Sequence, residues 1–134
     1  MITVETNVIA DLETVWDFWT SADHIKNWYH ASPDWHVLNA ENELSVAGQF
    51  KIVMAAKDGS FQFDFEGEYT KIVQYEFIEY HLIDGRKVSI QFSPEEDSIH
   101  ITEIFEPENT NSLVVQKAGW QAILDNFKSY TEQK

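Results

Sequence analysis

Glu103 occupies a position where the pattern calls for an apolar residue. In "SIHITEIFE", residues 98–106, Ile99, Ile101 and Phe105 share one phase of a two-residue alternation, and position 103 falls on that phase. A carboxyl group on the inward face of a strand costs several kcal/mol unless it is paired or keeps its proton. The same environment makes a group that orients a ligand or acts as a general acid. Two other readings stay open: a bulge at Thr102 that turns Glu103 outward and Ile104 inward, or a salt bridge to a basic neighbour.

The other polar residues assemble less chemistry. His24, His30 and His36 are spaced six apart, a step that rotates each away from the last on a helix, and Pro33 interrupts the segment. No metal-ligand spacing such as H-E-x-x-H is present. His30 and His36 could donate to a ligand oxygen, whereas His81 and His100 fall on the polar phases of their strands. The chain has no cysteine, which excludes thiolate nucleophiles, disulfides and Cys-ligated zinc, and no G-x-S-x-G elbow. Its five glycines stand apart, so no phosphate loop is expected. Asp64 and Glu66 lie on the outer phase of a strand and read as solvated surface. We expect no catalytic constellation, no metal and no cofactor.

Charge narrows the partners. With 23 acidic against 9 basic residues the formal net charge is −14, and no basic run could follow a phosphate backbone. Nucleic acid and anionic membrane surfaces are unfavourable partners. The longest apolar run, Ile52 to Ala56, is far short of the roughly 20 residues that span a bilayer. No secretory signal opens the chain, and a cytoplasmic location is expected.

The elements that must position these groups can be read from periodicity. "ITVETNV" alternates as a half-buried strand, and Asp11 can cap a helix whose Leu12, Val15, Trp16 and Trp19 form one apolar stripe. Ser21 can cap a second short helix ending near Tyr29. From Trp35 onward the period becomes two. "QFKIVMAAK" and "FQFDFEGEY" meet at Asp58-Gly59, with Phe61, Phe63, Phe65 and Tyr69 on one face and Gly67 read as a bulge or bend. "EFIEYHLI" and "KVSIQF" meet at Asp84-Gly85, and "SIHITEIFE" follows. "NSLVVQKAGWQAILDNFKSY" is the one long helix, its apolar face starting at Leu113 and running through Trp120, Ile123, Leu124, Phe127 and Tyr130. Gly119 inside it implies either a close sheet or a wanted space. The chain, 134 residues long, therefore reads as a single α+β domain spanning 1–134, in which a curved antiparallel meander and the long helix cover each other's apolar faces.

This order resembles the helix-grip fold of the START and Bet v 1-like (SRPBCC) superfamily. The blocks "VWDFWTSADHIKNWY", "VAGQFKIVMAAKDGSFQFDFEGEYTKI" and "AGWQAILDNFKSY" are similar to those of the family named for homology to the C-terminal domain of the activator of heat-shock-protein-90 ATPase. The resemblance implies a cavity between sheet and long helix that takes apolar ligands such as lipids, polyketides or flavonoids.

The leading expectation is binding of a small, mostly apolar molecule there. The residues expected to line the site are Trp28, Trp35, Phe50, Met54, Phe63, Phe65, Tyr80, Phe92, Glu103, Trp120, Leu124 and Phe127. Four of the five tryptophans fall within residues 15–35. Trp16 and Trp19 are expected under the sheet, and Trp28 and Trp35 at the cavity mouth, faced by Trp120. The resemblance also raises two alternatives. One is a chaperone-accessory module acting on a heat-shock ATPase in stress response, which predicts an exposed apolar patch. The other is a polyketide cyclase-like enzyme, which requires Glu103 or a histidine to point inward.

Overall fold

A computed structural model describes residues 1–133. The first strand, β1 (Ile2–Val8), leads into α1 (Leu12–Thr20) and α2 (Ala22–Trp28). Six strands follow: β2 (Trp35–Asn42), β3 (Gln49–Ala56), β4 (Gln62–Val73), β5 (Phe77–Leu82), β6 (Lys87–Pro94) and β7 (Ile99–Phe105). The helix α3 (Leu113–Glu132) closes the described chain. The strands form one antiparallel sheet in the order β1-β7-β6-β5-β4-β3-β2, curled into a half-barrel around α3. This is the α+β meander with one long helix expected from the periodicities, in the helix-grip arrangement that the resemblance implies.

Local chemistry accounts for the element ends. The Asp11 carboxylate accepts from the Thr14 backbone N–H at 2.7 Å and caps α1. Ser21 ends α1 by donating its N–H to the Asp17 carbonyl, and its own carbonyl then opens α2. It does so without a side-chain cap bond, unlike the expectation. Gly59 and Gly85 take φ of 79° and 90° at the two tight turns, the left-handed region that the Asp-Gly pairs announce.

Gly67 is not a bulge. It sits in unbroken register between Phe50 and Leu82, while the register shifts lie at Val37/Asn39 and Tyr69/Lys71. A Cβ at Gly67 would stand 2.6 Å from the His81 carbonyl oxygen and 2.8 Å from the Phe50 ring. The glycine thus leaves the space across which Phe50 lies. Gly119 is the opposite case, with nothing within 4 Å of a Cβ built there, so neither a close sheet nor a needed gap explains it. Gly67→Ala is expected to destabilise the fold by about 1–3 kcal/mol through overpacking. Gly119→Ala is expected to stabilise it by about 1 kcal/mol through helix propensity. Urea midpoints of the two variants, moving in opposite directions, check both.

The long helix also closes one sheet edge. Gln121 bonds both backbone groups of Glu5, Lys128 donates to the Asn7 carbonyl at 2.6 Å, and the Glu132 carboxylate accepts from the Ile9 N–H at 2.9 Å. These polar side chains satisfy the free edge of β1 and hold α3 along it. The inward face of α3 begins at Gln116, not Leu113. The Gln116 amide bonds the backbone of Glu108 and Asn111, whereas Leu113, Val114 and Val115 are 61%, 79% and 59% exposed.

Candidate binding site

Glu103 faces inward. Along β7 burial alternates without a break, and Glu103 is 4% exposed. Both neighbouring ladders pass through Thr102 in register, with Val4 on β1 and Ile90 on β6 opposite Glu103, which excludes the bulge. Nor does a basic group pair with it among the described residues: burial alone drives its carboxyl up to about 8 from an ordinary 4.5. At neutral pH the group carries its proton.

Two buried phenols feel the field of this carboxyl. Tyr29, at the end of α2, and Tyr80, on β5, are both buried. Burial first, and then the field of Glu103, holds the Tyr29 hydroxyl well above its ordinary range. For Tyr80 the order is burial, then Tyr29, then Glu103. The two hydroxyls also interact with each other. Tyr69 on β4 is raised as well, by burial, against the bond its hydroxyl donates to Asn42 Oδ1.

Tyr29 and Tyr80 line a cavity of about 30 Å³, room for one or two waters. Trp19 and Ile25 wall it from the helices, Phe50 and Ile52 from β3, and Tyr69 and Ile78 from β4 and β5. It opens between α2 and β2, beside Glu41 and Asn42. A hydrogen-bonded chain crosses this mouth: Tyr69 donates to the Asn42 side chain, which donates to the Thr20 carbonyl at the end of α1.

The residues expected to line the site divide into groups. Phe50 and Tyr80 line the cavity, whereas Glu103, though buried, is not among its lining residues. Phe65 and Trp120 fill the space beneath the helix. Phe65 has its ring 5.6 Å from Tyr29 and 5.9 Å from Trp120, and Trp120 lies flat on Phe105 at 3.8 Å. Met54, Phe92, Leu124 and Phe127 are buried core. Among the described residues no wide preformed hollow lies between the sheet and α3, because the aromatic side chains read as its lining meet one another across it.

The tryptophans part ways as well. Trp28 is fully buried, its indole N–H donating to the Phe18 carbonyl at 3.0 Å, so it does not stand at a mouth. Trp16 and Trp19 do lie under the sheet, edge-on to Phe92 at 5.4 and 5.7 Å. Trp35 is half-buried at the start of β2, and its ring neighbours are Phe61 and Phe63, both exposed. These three rings lie away from the cavity.

The histidines serve the surface or the helix packing. His24 shares a 2.7 Å bond with the Tyr130 hydroxyl, and His100 bridges Glu5 and Asn7 from β7. His30 accepts from the Asn126 amide at 3.1 Å, and burial lowers its pKa. His36 lies on β2 opposite Ala55, and His81 is exposed.

What sequence reasoning missed are Tyr29, Tyr69, Asn42, Trp19, Ile25, Ile52, Ile78 and Glu41. Tyr29 had no periodic signal, since it follows the last turn of α2. Tyr69 was on the correct phase, with nothing to mark it as a cavity wall.

The curled sheet gripping one long helix, with an apolar interior and a small polar cluster inside it, defines a helix-grip protein of the Bet v 1-like class. The chain belongs to the family described as Activator of Hsp90 ATPase homolog 1-like protein, whose model matches residues 10–132. An AHSA1-like protein from Aeromonas hydrophila is 40% identical with a TM-score of 0.93, covering 98% of this chain and 92% of that one. The protein Chr148 from Cytophaga hutchinsonii is 51% identical with a TM-score of 0.85, covering 98% and 92%. The Aha1 dimer from Colwellia psychrerythraea shares the fold at 15% identity and a TM-score of 0.75, covering 98% and 95%. No curated protein matches the chain. Among the described residues no helix is long and apolar enough to cross a membrane.

Proposed function

We propose that this chain is a binding module for a small, mostly apolar molecule that enters between α2 and β2 and widens the cavity beside Tyr29 and Tyr80. The observation that carries this reading is the buried carboxyl of Glu103 in a largely apolar interior, whose cavity is lined by the buried phenols of Tyr29 and Tyr80. Such a group opposes folding at neutral pH, and packing gives no reason for it. The cavity as it stands admits one or two waters, so a lipid, polyketide or flavonoid requires side chains to move. A single-ring compound requires the least movement. The Tyr69–Asn42–Thr20 chain is the device that keeps the mouth narrow.

N-phenyl-1-naphthylamine, a neutral apolar fluorophore, tests this. Saturable fluorescence enhancement with one site per chain is expected, with faster association in Asn42→Ala, which removes the chain across the mouth. Absence of saturable binding in both the parent and Asn42→Ala would overturn the reading.

A second reading is a chaperone-accessory module. It is supported by the family description and by the exposed apolar turn Leu113-Val114-Val115 at the start of α3. It expects the chain to raise ATP turnover by a heat-shock ATPase and Val114→Asp to abolish the effect. Unchanged turnover at saturating chain removes it.

A further inference from the structure

We propose that the first half of β4, residues 62–66, is a docking edge for an extended peptide segment of a partner protein, one in which basic and apolar residues alternate. This edge lies apart from the cavity and does not depend on the small-molecule reading.

The backbone supplies the edge. Where β3 and β4 meet, the Ala56 N–H donates to the Phe61 carbonyl at 2.9 Å, and further along the Tyr69 N–H donates to the Gly48 carbonyl at 2.9 Å. Between these points the antiparallel ladder alternates, so Phe63 and Phe65 turn their backbone groups to β3 while Gln62, Asp64 and Glu66 turn theirs the other way. From Gly67 to Val73 that other side is taken by β5. The strand β5 ends at Leu82, opposite Gly67, and the chain peels away after one more bond, from the Ile83 N–H to the Glu66 carbonyl at 3.2 Å. Among the described residues nothing bonds the N–H or C=O of Gln62 or Asp64 on that side, and both residues are exposed.

The outer edges of the sheet are guarded. Side chains of α3 bond the edge of β1, and the register shift at Val37/Asn39 interrupts the edge of β2. The step in β4 has unbroken register and no such cover.

Side chains define the guest. Phe63 shares the inner phase of Phe65, whose ring meets Trp120 at 5.9 Å, yet Phe63 is 41% exposed and its ring neighbour Phe61 is 60% exposed. Guest residues opposite Phe63 and Phe65 extend that packing and are apolar. On the outer phase Lys51 stands opposite both Glu41 and Glu66 and reaches Asp64 at 3.5 Å, one cation among three carboxylates. Guest residues opposite Asp64 and Glu66 meet this surplus of negative charge and are basic. A second copy of the chain does not fit, because antiparallel pairing centred on Asp64 sets two Asp64 carboxylates against each other, between chains that each carry −14. Residues 62–66 span about 17 Å, so the guest strand is short.

The probe is the peptide acetyl-Lys-Val-Lys-Val-Lys-amide, followed by amide NMR titration of the full chain. Saturable shifts are expected at Gln62, Asp64 and Glu66, with Trp19 and Ile78 of the cavity wall unmoved. In an antiparallel guest running as β5 does, the lysine N–H groups face β4 and the valine N–H groups face away. Backbone N-methylation of the lysines is therefore expected to weaken binding at least tenfold, and N-methylation of the valines to leave it within about threefold. The counterpart with glutamate in place of lysine is expected not to bind. Asp64→Asn is expected to weaken the probe about threefold. Asp64→Pro, which removes an edge N–H without touching the β3 ladder, is expected to weaken it at least tenfold.

Equal affinity of the two N-methylated isomers, or binding of the glutamate peptide as tight as that of the lysine peptide, would overturn the inference. So would no saturable binding to the parent, or shifts that map away from residues 62–66. Concentration-dependent shifts of those same amides without peptide would make a second copy the occupant and overturn it equally. If Asp64→Pro fails to fold, the isomer pair on the parent decides. Binding of N-phenyl-1-naphthylamine is expected to be the same in Asp64→Asn as in the parent, so this edge and the cavity stand or fall separately.

Discussion

Glu103→Gln is expected to stabilise the fold at pH 8 by a few kcal/mol and to leave it nearly unchanged at pH 4. In the folded chain the carboxyl titrates at about 8, above its ordinary 4.5. Below the ordinary value both folded and unfolded chains hold the proton, and the protonated group contributes its full stability. Between about 4.5 and 8 the unfolded chain releases the proton and the folded chain keeps it, so stability falls by about 1.4 kcal/mol per pH unit. Above the folded value both are ionised and the loss is complete. Glutamine has no proton to release and escapes this slope. The carboxylates of Asp11, Asp84 and Glu132, which hydrogen bonds hold low, lose stability in the opposite direction as pH falls. They are common to both proteins and cancel in the difference. Urea unfolding of the pair at pH 4, 6, 8 and 9 measures that difference. Parallel curves across the range would mean that the Glu103 carboxyl is solvated in the folded chain.

Trp28→Ala is expected to cost about 3–5 kcal/mol, while Trp35→Ala costs about 1 kcal/mol. The two residues are alike in the sequence, each a late indole in one aromatic stretch. In the fold Trp28 packs against Trp19, Tyr29 and Phe127 at 5.0, 5.1 and 4.7 Å between ring centroids and joins both short helices to α3. Its removal opens a cavity in this cluster and leaves the Phe18 carbonyl without its donor. Trp35, half-buried at the edge of the core, loses part of that packing and its contacts with two rings that are themselves exposed. Midpoint shifts that differ severalfold, with loss of near-ultraviolet dichroism in Trp28→Ala alone, are the expected result. Equal shifts would place both indoles in one cluster.

Much of the architecture was legible because its signals are local. The Asp11 cap, the two Asp-Gly turns and the phase of each strand follow from backbone geometry within a few residues. The inward Glu103 was legible for the same reason, since a two-residue period assigns a face without reference to any partner. The failures are long-range. Gly67 reads as a bulge or a bend until Phe50, on the neighbouring strand, is placed across it, and the unbroken register removes the bulge. Leu113 continues an apolar helical stripe, yet it stays exposed while Gln116 turns inward to bond the preceding loop. Periodicity finds the stripe and does not say where along the helix its partner ends.

The sequence by itself determined the order of elements, the faces they turn inward and the presence of one carboxyl on the inner side, because strand and helix periods map residue number directly onto direction. Only the tertiary structure decided how much space lies between those faces and which side chains meet there. That outcome depends on the curl of seven strands and the seat of α3 along β1, set by pairings between residues as far apart as Glu5 and Gln121. Inward direction is a local property of the backbone, whereas a cavity is the volume left over after every distant side chain has been packed.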